Sequence, residues 1–163
     1  MSHLNESTKS ICDVLIVEDE HLQAREMAHA LSKASLSVEL APDAVTAFEK
    51  AKACQPRVAL IDCNLPGSNG FLVAKKFEEL SPRTAILFMS GHIDGVPESL
   101  LETTHGRAFI NKPIPLVILR SAILKLLRNI EFGADYVPER RGWMLSGMGS
   151  PRGLKIVSSD GTH

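Results

Sequence analysis

Val58-Ala59-Leu60-Ile61-Asp62 is a run of four apolar residues that stops on a carboxylate. Three other stretches repeat the pattern. Val14-Leu15-Ile16-Val17 runs into Glu18-Asp19, Ala85-Ile86-Leu87-Phe88-Met89 into Ser90, and Ala108-Phe109-Ile110 into Asn111-Lys112-Pro113. Four or five apolar residues bounded by polar or turn residues read as a strand buried on both faces, the signature of a parallel sheet. Helix-like segments separate the runs, so the strands should lie parallel with their C-terminal ends along one edge, where open α/β sheets bind ligands. Three carboxylates, a hydroxyl and an ammonium are expected to converge there.

Outward from these runs, residues 1–10 are polar and aperiodic and read as a disordered leader. A first strand is expected over about Cys12–Val17, then a helix over Glu20–Ala34 with Leu22, Met27, Ala30 and Leu31 turned inward. Leu36, Val38 and Leu40 share one face of an edge strand. Asp43 is placed to cap a helix reaching about Ala53, with Val45, Ala47, Phe48 and Ala51 on its buried side. After Asp62, the stretch from Asn64 to Gly70 is dense in turn residues, and Phe71–Leu80 is helical until Ser81-Pro82 stops it. Beyond Ser90, the chain is broken up by Gly91, Gly95 and Pro97, leaving a short fourth helix over about Pro97–Glu102. Leu116–Ile130 is a strongly apolar helix with Leu116, Leu119, Ile123, Leu126 and Leu127 on a broad face. Five β-α units over residues 11–130 imply an α/β fold, a five-stranded parallel sheet doubly wound by helices.

Composition narrows the function classes. The chain has 163 residues, 44% hydrophobic and 23% charged, with a formal net charge of −1. That balance carries no footprint for nucleic acid or an anionic membrane, and no apolar run approaches the roughly 18 residues of a span. Cys12, Cys54 and Cys63 lack metal-ligand spacing and read as reduced thiols of a cytoplasmic protein. Nothing near Cys63 visibly lowers its pKa. Residues 131–163 are rich in Gly, Ser, Pro and Arg and too few for a second core, so a flexible C-terminal tail without an effector domain is expected. Within it, Arg140-Arg141-Gly142-Trp143 is free to fold back, bind a partner or stay loose.

Glu18-Asp19, Asp62, Ser90 and Lys112, in this order on successive β-α units, resemble the signature positions of response-regulator receiver domains, the CheY-like superfamily of two-component signalling. The resemblance covers about Cys12–Asn129 and implies a flavodoxin-like (βα)5 receiver of the stand-alone, single-domain type. In that likeness Asp62 is the phosphoacceptor, a carboxylate nucleophile taking a phosphoryl group from a sensor histidine kinase or a histidine phosphotransfer protein. Glu18, Asp19, Asp62 and the backbone carbonyl of Asn64 would hold Mg2+, for which Mn2+ can substitute, because both reacting groups are negative and hard oxygens suit that ion. Lys112 would pair first with Asp62 and then with phosphoryl oxygens. The Lys112-Pro113 bond resembles the family's usual cis peptide. Ser90 would meet the phosphoryl group after transfer. Phe109 stands where the family carries an aromatic switch that alters the face made by the fourth helix, fifth strand and fifth helix.

The likeness has departures and rivals. Ile114 replaces the Phe common after Lys-Pro, and the fourth helix is short and interrupted by proline, both on the usual signalling face. Gly70 is expected to tighten the entry to the third helix, while Asn64 and His92 border the path of the attacking water. Taken singly, Glu18-Asp19 reads as a solvated acidic pair, Lys112-Pro113 as a helix start and Phe109 as plain core. The implied function is a phosphorylation-switched protein interaction with an unknown downstream protein or a second copy of the chain. The chain would catalyse only its own phosphorylation and dephosphorylation, and so would not be an enzyme in the ordinary sense. The alternative is a phosphorylation-independent binding module acting through the fourth-helix face or the tail, with Trp143 as anchor. A haloacid-dehalogenase-type phosphatase wants a second acid where Asn64 stands, and no phosphate-cradling Gly-rich loop is present.

Overall fold

The computed structural model describes residues 11–91, 107–131 and 143–145. Its elements are β1 (Val14–Val17), α1 (His21–Ser32), β2 (Val38–Ala41), α2 (Ala44–Cys54), β3 (Val58–Asp62), a two-residue ladder of β4 (Asn64–Leu65) and β5 (Ser68–Asn69), α3 (Gly70–Leu80), β6 (Ala85–Ser90), β7 (Arg107–Asn111), α4 (Leu116–Glu131) and β8 (Trp143–Leu145). The leader, the short helix expected over Pro97–Glu102, His92 and most of the tail lie outside the described residues.

The main sheet runs β2-β1-β3-β6-β7-β8, every adjacent pair parallel. The five strands expected from the sequence are all in it. β8 extends it by one, setting Trp143, Met144 and Leu145 opposite Ala108, Phe109 and Ile110. β1, β3 and β6 are buried along their whole length, as strands covered on both faces must be. Alternate residues feed two cores. Val14, Ile16, Val58 and Leu60 pack with Met27 and Leu31 of α1 and with Leu119, Ile123 and Leu127 of α4. Leu15, Val17, Ala59 and Ile61 pack with Ala47 and Ala51 of α2 and with Val73, Ala74 and Phe77 of α3.

Three helical positions expected inside are outside. Leu22 and Val45 are each 67% exposed, and Leu116 is also exposed. Met27, Leu31, Ala47 and Ala51 are buried as expected, joined by Ala24 and by the partly buried Ala44. The two stripes are i, i+3, i+7 series, and Leu22 and Val45 fall off them.

Capping is set by local chemistry. Asp43 accepts the Thr46 N–H at 2.8 Å, and Asn69 accepts the Phe71 N–H at 2.8 Å. Between β3 and α3 the chain reverses through Pro66-Gly67, with Gly67 at φ +67°. A Cβ on Gly70 would lie 2.3 Å from the Asp62 carbonyl oxygen and 2.9 Å from the Cys63 Cα. Both obstacles are backbone, so α3 starts against β3 only because this residue has no side chain.

At the N-terminal edge of the sheet, Asp13 accepts the Ser37 N–H at 2.9 Å, the Ser37 hydroxyl at 3.1 Å and Arg57 Nη1 at 3.2 Å. Burial acts to raise the Asp13 pKa, but these bonds outweigh it and hold the carboxyl below its usual 3.8.

Gly70→Ala should destabilise the fold by at least about 1–3 kcal/mol, read as a lower urea midpoint, and an unchanged midpoint would refute the close approach. Asp13→Asn should cost about 1 kcal/mol at pH 7, water screening the rest. A depressed folded-state pKa stabilises above the unfolded value and is lost as pH falls through the folded one. The difference between wild type and Asp13→Asn should therefore be full at pH 7 and shrink on acidification below 3.8 in pH-dependent thermal melts.

Candidate phosphoryl-acceptor site

The sheet order places β2 on one side of β1 and β3 on the other, so the connections reverse direction between β1 and β3. A crevice opens there beyond the strand ends. Glu18 and Asp19 come directly after β1, Asp62 ends β3, Ser90 ends β6 and Lys112 comes directly after β7, all at that edge. In the ladders Asp62 stands opposite Met89, and Ser90 opposite Asn111. The Lys112 N–H donates to the Ser90 carbonyl at 2.8 Å.

Lys112 Nζ donates to Asp62 Oδ2 at 2.6 Å and to Glu18 Oε2 at 2.7 Å. The second oxygen of each carboxylate takes a backbone N–H, from Asn64 to Asp62 Oδ1 at 2.9 Å and from Glu20 to Glu18 Oε1 at 3.2 Å. Glu18 and Asp62 are only 3% and 5% exposed, which leaves the ammonium as their charge partner. Burial pushes the Glu18 carboxyl up despite its bond to Lys112. Burial also works against the Lys112 charge, yet the bonds to Asp62 and Glu18 prevail and hold the ammonium above its usual pKa. Lys112 stays charged throughout the physiological range.

Carboxylate oxygens of Glu18, Asp19 and Asp62 lie within 4.8 Å of one another, with Asp19 the most open of the three. Three carboxylates against one ammonium leave an excess of negative charge in a cup of hard oxygen donors. That donor set, size and partial exposure fit Mg2+, which binds one or two carboxylates and keeps several waters.

Ser90 is buried and hydrogen-bonded with the Cys63 thiol. Burial and the neighbouring Asp62 charge push that thiol up to about 12, so Cys63 is a protonated filler and not a nucleophile. Phe109 is fully buried, its ring 5.1 Å from Phe88 and 6.2 Å from Phe71. The Lys112-Pro113 peptide is cis. Glu18, Asp19, Asp62, Asn64, Ser90, Lys112 and Pro113 are at or beside this edge, while Phe109 lies within β7 in the core. One contact escapes sequence reasoning. Glu18 is a second acceptor for Lys112, 94 residues away and with no local signal. Gly70, expected to tighten the entry to the third helix, abuts the backbone at the end of β3.

Comparison with known proteins agrees with this geometry. Residues 14–124 match the family model of the response regulator receiver domain. The protein-glutamate methylesterase/protein-glutamine glutaminase of Archaeoglobus fulgidus is 31% identical over 125 residues, covering 75% of this chain and 36% of that protein. The response regulator protein GraR of Staphylococcus saprophyticus is 24% identical, covering 76% of this chain and 55% of that one. The chain thus spans about a third to half the length of these relatives. A CheY-like receiver domain from Methanospirillum hungatei superposes with a TM-score of 0.69 at 24% identity, covering 76% of this chain and 98% of the other, and supports the fold. With strand ends, lysine bridge and family match in agreement over the same residues, the chain belongs to the response regulator receiver domains.

Proposed function

We propose that Asp62 accepts a phosphoryl group from a phosphohistidine of a sensor kinase or histidine phosphotransfer protein, and that the phosphorylated chain changes its protein contacts. The observation that carries this is the buried Asp62 carboxylate, 2.6 Å from the Lys112 ammonium and within one cluster with Glu18 and Asp19. An Asp62 oxygen attacks phosphorus, the P–N bond breaks, and the imidazole leaves with a proton from solvent. Hydrolysis of the acyl phosphate by water returns the free carboxylate. Lys112 neutralises charge on the moving oxygens, already oriented by its two carboxylate partners. Glu18, Asp19, Asp62 and the Asn64 carbonyl would hold Mg2+, which supplies the charge that screens carboxylate from phosphoryl group.

In this reading Ser90 exchanges its bond with Cys63 for one to a phosphoryl oxygen. Phe109 already packs in one cluster with Phe88 and Phe71, so phosphorylation would lock its packing rather than create it. Output would pass to a downstream protein or a second copy through the β7–α4 side. We assign the chain no reaction other than its own phosphorylation and dephosphorylation, and place it in the cytoplasm. Among the described residues no helix is long and apolar enough to cross a membrane.

Incubation with Mg2+ and acetyl phosphate should give one phosphoryl adduct by intact mass on wild type and none on Asp62→Ala. An equal adduct on both would overturn the assignment. Lys112→Ala should slow adduct formation by about 100-fold or more, since it removes the main charged donor. Asp19→Asn should weaken Mg2+ binding by roughly 10-fold or more, measured by titration calorimetry. An unaltered affinity would move the ion elsewhere.

A further inference from the structure

Two thiols lie at the opposite edge of the sheet from Asp62. Cys12 stands two residues before β1, and Cys54 is the last residue of α2. Both are reduced and buried, with their Sγ atoms 3.0 Å apart. Their backbones are fixed as closely as their side chains. The Cys12 N–H donates to the Cys54 carbonyl at 3.4 Å, and the Arg57 N–H donates to the Cys12 carbonyl at 3.1 Å. The turn that presents the Cys54 carbonyl holds Gln55 at φ +43°, a left-handed conformation costly for a residue with a Cβ. The chain is thus constrained to keep the two cysteines together.

A disulfide has its sulfurs at about 2.05 Å and its Cα atoms at roughly 4.4–6.8 Å. A direct backbone hydrogen bond between the two residues brings their Cα atoms toward that range. Closing the first needs a sulfur movement of about 1 Å, within the reach of χ1 rotation. We propose that Cys12 and Cys54 form a redox pair that a low-molecular-weight disulfide converts into an intramolecular disulfide.

Protons and access set the order of events. Cys54 Sγ donates to the Lys50 carbonyl at 3.2 Å, so the proton between the two sulfurs belongs to Cys12. Burial and the bond to Cys54 push the Cys12 thiol well above its usual range. Cys54 is the more accessible of the two, at 8% exposure against 4%, and so meets the oxidant first. The Cys54 thiolate, its proton lost to solvent, attacks one sulfur of the oxidant. The oxidant's S–S bond breaks and one small thiol leaves, taking up a proton. Cys12, on losing its proton, attacks Cys54 Sγ and expels the second small thiol. Two protein thiols give up two electrons and two protons, and the disulfide reagent becomes two thiols. Deep burial makes the first attack slow, minutes to hours. Cys63, at the far end of β3 and bonded with Ser90, takes no part.

The crosslink would join positions 42 residues apart and enclose β1, α1, β2 and α2 in one covalent loop. Its test uses the full chain and oxidised glutathione. Non-reducing peptide mapping should show Cys12 linked to Cys54, reversed by dithiothreitol, with Tm raised by roughly 5–10 °C in the oxidised form. Cys63→Ser should form the same link. Cys12→Ser should instead retain glutathione on Cys54. The proposal fails if both cysteines of the native protein remain alkylatable on later unfolding, or if the link found involves Cys63 or a second chain.

Discussion

One ammonium ion holds the functional edge of this sheet together. Lys112 reaches from the end of β7 to carboxylates at the ends of β1 and β3, and both carboxylates are removed from water. An unpaired buried carboxylate costs several kcal/mol, so the lysine offsets much of the cost of burying these groups. Bridging two strands from a third is possible only where parallel strands end together. Topology and electrostatics therefore specify each other here. Two backbone N–H groups and one lysine satisfy Glu18 and Asp62, and leave Asp19 the most open carboxylate of the cluster.

Much of this is legible in the amino-acid order because it is local. Apolar runs ending in Asp62, Ser90 or Lys112 declare buried strands and the polarity of their tips, and Asp43, Pro66-Gly67 and Ser81-Pro82 punctuate the helices between them. Local pattern fails where packing decides among equivalent choices. Leu22 and Val45 are as hydrophobic as the residues on the sheet-facing stripes, but each lies off the i, i+3, i+7 series that faces the sheet and is left exposed. β8 gives no signal because Trp143-Met144-Leu145 is too short a run to stand out among glycines and serines. Contacts such as Glu18–Lys112 and Cys12–Cys54 connect positions far apart in sequence, and no periodicity encodes them.

The two edges of the sheet handle polar groups differently. The C-terminal edge concentrates negative charge that Lys112 only partly offsets. The N-terminal edge is self-sufficient, with Asp13 satisfied by Ser37 and Arg57, and with Arg57 Nη2 also reaching the Leu127 carbonyl of α4 at 3.4 Å. That ties the start of β1, the loop before β2, the loop before β3 and α4 into one hydrogen-bonded base. Chemistry on the opposite side can then rearrange side chains without loosening the strands that carry them.

The position of β8 has a consequence for how the molecule is made. A parallel strand cannot join its neighbour by a hairpin and needs a crossover, here supplied by α4 between β7 and β8. The outermost seam of the sheet therefore closes only after the whole of α4 has been synthesised and has docked. Until then β7 presents a row of open amides and carbonyls flanked by Phe109 and Ile110, the kind of edge on which nascent chains associate. Among the described residues, the three-residue β8 thus covers an edge of β7 that would otherwise be open to association.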